Sequence, residues 1–132
     1  MLEATDHARI QIGKLGVLEV RPGMYYYGGS AKRGIASRVT RHFRITKKVY
    51  WHIDYLTVHQ DVTLLEAWCF PGQSEVEHIV PTLEQVEVEG IPHKLGAGDC
   101  TRGCHSHLVR GVGSLTPDMI ALDYYIVQSP AG

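Results

Sequence analysis

The sequence contains no long apolar run, and nothing in it approaches the roughly 20 residues that carry a helix across a bilayer. Its opening residues lack the charged-then-apolar pattern of a secretory leader, so a cytoplasmic setting is expected. Cysteine is scarce. Cys69, Cys100 and Cys104 are few and odd in number, which argues against a disulfide framework. Internal repeats and low-complexity tracts are absent as well. The most informative absence is of acid. Between Arg21 and Ile53 there is no Asp or Glu, yet the interval holds Arg21, Lys32, Arg33, Arg38, Arg41, Arg44, Lys47 and Lys48. From Asp54 to Asp99 the balance reverses, and Lys94 is the lone base among nine carboxylates. A net charge of −1 therefore hides a molecule with a basic face, suited to a polyanion, although a solvated helix face would leave the same pattern.

What is present fits one domain of 132 residues with a single sizeable core. Residues 23–42 organise it. Met24-Tyr25-Tyr26-Tyr27 reads as a strand, Gly28-Gly29 breaks it, and Ile35, Val39 and Phe43 then recur at helical spacing, with Arg38 and Arg41 off that stripe. Upstream, residues 1–9 read as a polar lead-in, and Ile10–Ile12 and Val17–Val20 alternate as strands that continue into the tyrosine strand as a short meander. Residues 50–56 suit either a helix or a strand, and Val62–Cys69 reads as one buried strand. Ser74 and Glu77 have the spacing of a capping box, before a helix that Pro81 kinks. Val86 and Val88, then His107–Val109 and Ala121–Val127, add strands. The fold class is α+β, a small, mainly antiparallel sheet flanked by helices.

A strand that passes through glycines into a basic helix sets backbone N–H groups, the Tyr27 hydroxyl and the Arg38 guanidinium around one cleft, an arrangement that suits a phosphate. There Tyr27 can orient or deprotonate a water, and Arg38 can hold the attacked phosphate by two parallel hydrogen bonds. Phosphodiester cleavage also needs a divalent metal, Mg or Mn, for which Glu77, or alternatively Glu75, is the candidate carboxylate. Glu77 can equally be only the cap partner of Ser74. His42 and His52 flank the basic loop as proton carriers or phosphate ligands, with a structural place in the Trp51–Tyr55 aromatic group open to His52. Further along, Cys100, Cys104 and His107, with His105 or Asp99, can make a zinc site, or their thiols and imidazoles can simply be packed in a structured loop.

Taken together, Gly23–Ala31, Arg38–His42, Trp51–Leu56 and the segment Asp99 to Leu108 resemble the GIY-YIG nuclease superfamily, in a small uncharacterised archaeal and bacterial branch. The resemblance implies a three-stranded antiparallel sheet flanked by helices, with Tyr27-Gly28-Gly29 in the place of Tyr-Ile-Gly. It implies that Arg38 is the helix arginine and that a metal-binding glutamate lies on the later helix, at Glu77. The family's opening strand carries a further tyrosine, whereas this chain begins with Met1-Leu2-Glu3 where that strand should be ending. Either the start is truncated or a catalytic tyrosine and a central strand are lost, and the sheet edge so bared would suit a second subunit in a homodimer. The expected function is a metal-dependent endonuclease on DNA. Tyr27, Arg38, His42 and Glu77 would serve at the site, and Lys32, Arg33, Arg41, Arg44, Lys47 and Lys48 would bind the nucleic acid. The alternatives are a nucleic-acid-binding module without turnover and a zinc-stabilised interaction domain.

Overall fold

The computed structural model describes residues 1–31 and 34–130 of the chain. Its frame is an antiparallel five-stranded sheet. In spatial order the strands are Val62–Leu64 (β5), Leu2–Ala4 (β1), Gly23–Tyr27 (β4), Leu108–Gly111 (β8) and Val86–Glu87 (β7). Because side chains alternate across a pleated strand, neighbouring residues enter different cores. Tyr25 and Leu108 pack with Leu2, Ile53 and Leu56 on one face, while Tyr26 and Val109 pack with Val80 and Leu115 on the other. The sheet is thus apolar on both sides. The α+β class expected from the sequence is the one observed.

Two further pairs of strands complete the chain. Ala8–Ile12 (β2) and Gly16–Val20 (β3) form a separate hairpin, which turns through Gly13 at φ 49°. Its buried residues, Ile10, Ile12, Leu18 and Val20, lie on one face and join the first core. Glu66–Cys69 (β6) pairs with Tyr125–Gln128 (β9). The continuous meander expected from the sequence is therefore not formed. β4 pairs with β1 and β8, and never with β3.

The opening residues are the chief correction. Leu2–Ala4 is not a polar lead-in but an interior strand, with Leu2 opposite Tyr25 on one side and Leu64 on the other. A strand therefore does lie beside the tyrosine strand, and the bare edge on which a homodimer was expected does not exist at β1. The 62–69 stretch is likewise two strands in two sheets, divided at Leu65.

Among the described residues three short α-helices lie around this frame. Ile35–Phe43 (α1) starts from Gly34 in the left-handed region, φ 67°, a conformation that disfavours other residues. Arg41 lies in its last turn, where positive charge complements the helix dipole. Asp54–Thr57 (α2) resolves the ambiguous 50–56 stretch as helix. Val76–Ile79 (α3) runs on into a 3-10 turn at Val80–Thr82 that contains Pro81. The expected capping box is not formed, because no side chain caps α3 and the Glu77 carboxylate turns toward two histidines instead. Among the described residues no helix is long and apolar enough to cross a membrane.

Candidate functional site

The end of β4 is where the parts of a site meet. The Gly28 N–H donates to the His107 carbonyl at 2.9 Å, so β4 and the approach to β8 are joined there. A Cβ on Gly28 would stand 3.0 Å from the Glu77 Cα, so glycine at 28 lets α3 press against the strand end. One residue earlier, the Tyr27 ring lies between Gly29 and Gly96, where added Cβ atoms would approach it to 3.2 and 2.6 Å. Tyr27 is thereby held in one place. From α1, exposed Arg38 donates to the Ser30 carbonyl at 2.9 Å, and its guanidinium lies 4.8 Å from the Trp51 ring centroid. His42, one turn on, has its ring centre 6.3 Å from that of Tyr27 and 5.7 Å from that of Trp51. Tyr27, Gly28, Gly29, Ser30, Arg38 and His42 line one wall of a groove of about 700 Å³. Trp68 and Phe70 contribute to its apolar remainder. The structure thus brings together Tyr27, Arg38, His42 and Glu77, which the sequence places far apart.

Their electrostatics divide the labour. Burial first, then the neighbouring Glu77 carboxylate, push the Tyr27 hydroxyl up to about 12, and Arg38 pulls against them. Tyr27 is therefore protonated at neutral pH. Burial, then Lys47, lower His42 to about 4, so its imidazole is uncharged there. Its Nδ1 is buried and, among the described residues, has no hydrogen-bond partner.

The basic residues do not all face outward. Arg41 donates to both oxygens of Asp54, at 2.9 and 2.8 Å, and stacks on Trp51 at 4.3 Å. Asp54 is fully buried and also accepts the N–H groups of Tyr50 and Trp51, each at 2.8 Å. Lys47 turns inward, 3.9 Å from Asp54, and donates to the carbonyls of Arg41 and His42. Arg41 and Lys47 are thus held in a structural ion cluster. Arg44 and Lys48 are exposed beside it. Lys32 and Arg33 lie outside the described residues.

On the other side of Gly28, His78, Cys100, Cys104 and His107 converge, and their ligand atoms all lie within 4.8 Å of one another. Cys100 Sγ and Cys104 Sγ each stand 3.6 Å from His78 Nδ1. The Cys104 N–H is the largest influence that holds the Cys100 thiol down to about 6, aided by the Arg102 N–H and by the Cys104 and His107 side chains. Burial and its neighbour Cys100 push Cys104 up. His107 is buried, and among the described residues its Nε2 has no hydrogen-bond partner. Two thiols and two imidazoles so placed can hold a metal ion.

Over residues 1–121 the chain matches the model of a domain family of unknown function, DUF123. It belongs to that family. Neither the curated proteins nor the solved structures give a match.

Within this DUF123 domain several expected residues have other duties. The fourth member of the metal group is His78 of α3, and neither His105 nor Asp99. The His105 Nε2 lies 2.8 Å from the Ile91 carbonyl and its Nδ1 3.5 Å from that of His93, while Asp99 is exposed. Exposed Glu75 pairs with Arg102 at 2.6 Å. His52 accepts the Gly96 N–H at 3.0 Å, which helps to hold the loop against Tyr27. Sequence reasoning missed His78, whose one signal was a histidine next to Glu77. It also missed the organising part played by Asp54.

Proposed function

We propose that the groove at the end of β4 binds nucleic acid and that the domain is a metal-dependent endonuclease acting on DNA phosphodiester bonds. One observation supports it above the others: Arg38 and Glu77, from two helices, both act on Tyr27 at the end of β4, beside an open groove. The resemblance to GIY-YIG nucleases points the same way, since Tyr27-Gly28-Gly29 and Arg38 are the residues that carry it.

Arg38 is the clamp, its fork suited to two oxygens of the attacked phosphate. Protonated Tyr27 orients the water and does not take its proton. Uncharged His42, its ring centre 6.3 Å from that of Tyr27, supports that placement, and the water's proton passes to solvent. Mg or Mn draws oxygen ligands from one or two carboxylates together with water and substrate phosphate. Glu77 fits that part, being partly exposed and beside Tyr27, whereas Glu75 is engaged by Arg102. Such an ion, when bound, supplies positive charge to the phosphate under attack. Exposed Arg44 and Lys48 track the phosphate backbone, the part the sequence also gives to Lys32 and Arg33, so binding weakens steeply with salt.

The group of His78, Cys100, Cys104 and His107 takes zinc in this reading. Bonds of about 2.3 Å to sulfur and 2.0–2.1 Å to nitrogen, at tetrahedral angles, set S and N about 3.6 Å apart. That is the separation of each thiol from His78 Nδ1. Free thiols of this kind suit a reducing, cytoplasmic setting. A binding module without turnover is favoured by one observation: β1, Leu2-Glu3-Ala4, brings no tyrosine beside β4.

Labelled branched, nicked and plain duplex DNAs, with Mg²⁺ or Mn²⁺ added or withheld, separate these two readings when wild type is run beside Arg38→Ala. Cleavage that needs added metal and vanishes in the variant, with binding only modestly weaker, is the expected result. Salt-sensitive binding without cleavage would leave only the binding module.

A further inference from the structure

The two centres share a residue, and we propose that Glu77 is the common outer carboxylate of both histidine ligands of the zinc centre, so that metal occupancy there sets the carboxylate's place beside Tyr27. The inference rests on the assignment of zinc to this group and not on nuclease activity.

The geometry starts with the imidazoles. His78 turns Nδ1 to the two thiols, which leaves Nε2 facing Glu77 Oε1 at 3.4 Å. His107 has Nδ1 3.9 Å from Glu77 Oε2, and its buried, partnerless Nε2 is the atom left for a metal. The rings stand edge to face, 5.2 Å apart, with one carboxylate serving both. A histidine that ligates a metal through one nitrogen commonly donates its other N–H to a carboxylate, which fixes its tautomer and orientation. At 3.4 and 3.9 Å these contacts are looser than formed hydrogen bonds. Metal on the far nitrogens leaves each near nitrogen as an N–H donor toward Glu77.

The backbone reinforces the link. Glu77 is packed against Gly28, and the Gly28 N–H is bonded to the carbonyl of His107 itself. A carboxylate offers about four acceptor positions, so two histidines leave others on the side of Tyr27, on whose hydroxyl Glu77 already acts. Glu77 is here a positioning residue for the metal ligands and, through them, is itself positioned.

The test uses the full chain, stripped of metal and titrated with Zn²⁺ against a competing chelator, and with Co²⁺ for its thiolate charge-transfer absorption. One metal per chain is expected, lost in Cys104→Ser. Retention by that variant of wild-type stoichiometry and spectrum would overturn the centre. Glu77→Gln keeps all four ligands, which guards against a variant that merely fails to fold. Its zinc affinity is expected to fall about 10- to 100-fold, with partial recovery in Glu77→Asp. Nitrogen NMR of the zinc-loaded wild type is expected to show His78 metallated on Nδ1 and protonated on Nε2. Wild-type affinity in Glu77→Gln, or the opposite tautomer, would sink the shared carboxylate. Metal binding as expected without DNA cleavage would sink the nuclease reading and leave this inference standing.

Discussion

Two polar clusters, each at least partly buried, lie near Tyr27, and they differ in completeness. Around Asp54 every demand is met: Arg41 donates twice, two backbone N–H groups fill further lone pairs, and Lys47 stands close by. Around His78 and His107 the demands are open: two thiols at 3.6 Å from one imidazole, and a buried nitrogen with nothing to bond among the described residues. A cluster satisfied from within is architecture, whereas one left unsatisfied marks a place for something absent from the chain. The contrast assigns Arg41 and Lys47 to the scaffold and Cys100 and His107 to a ligand, although sequence alone ranked the basic pair as functional.

The contrast can be broken most forcefully at its closed side. Asp54→Ala strands Arg41 and two N–H groups in a buried site and is expected to cost about 3–5 kcal/mol, read by urea unfolding, with metal content per folded chain unchanged. A loss under 1 kcal/mol would mean the cluster is not the closed unit described. At the open side, metal removal should lower the melting temperature in proportion to occupancy, by about 4 kcal/mol of stability when free zinc had stood at a thousandfold its dissociation constant. Scanning calorimetry of stripped and reloaded protein measures this, and identical curves would contradict a ligand-dependent centre.

Acid probes Asp54 of the closed cluster and, separately, its neighbour in the groove, His42, whose Nδ1 has no partner among the described residues. His42 is held at about 4, below its ordinary value of 6.5, so the unfolded chain binds the extra proton first and stability falls as pH drops from about 6.5 to 4. Burial raises Asp54, but the Arg41 hydrogen bonds and the Trp51 and Tyr50 N–H groups outweigh it and hold the carboxyl near 2. Its contribution is present above about 4 and is lost between about 4 and 2. At 1.36 kcal/mol per pKa unit the upper step is worth about 3 kcal/mol and the lower about 2, and His42→Phe should flatten the upper one alone in pH-dependent denaturation. The smallest effect belongs to the exposed Glu75–Arg102 pair beside the open cluster. Glu75→Ala should cost under about 1 kcal/mol and leave zinc affinity within twofold, by the same chelator titration. A larger loss would extend the metal centre to include that pair.

Elements with a local signal were legible. The tyrosine strand, α1 and the β2 and β3 strands follow from alternation, from a four-residue period and from glycines at the breaks. β1 was not, because three residues in a buried–exposed–buried pattern establish no period, and the strand is defined by partners 19 and more residues away. Cys100, Cys104 and His107 stood out as a cluster in the chain. His78 lies 22 residues before Cys100 and enters only through the packing of α3 on Gly28, which no spacing announces. Arg41 resembled a phosphate ligand for the same reason: its partner Asp54 is 13 residues on, beyond any helical neighbour rule.

The strand order β5-β1-β4-β8-β7 has a kinetic consequence. A hairpin such as β2–β3 closes within about 1–10 μs, because its partners adjoin in sequence. In the main sheet Tyr27 must find Leu108 and Leu2 must find Leu64, and each closure spends chain entropy before any pairing repays it. Assembly of the groove therefore waits on the slowest searches in the molecule. The hairpin is expected to close before Tyr27, Gly28 and the ligand histidines come together, because its partners adjoin in sequence and theirs do not.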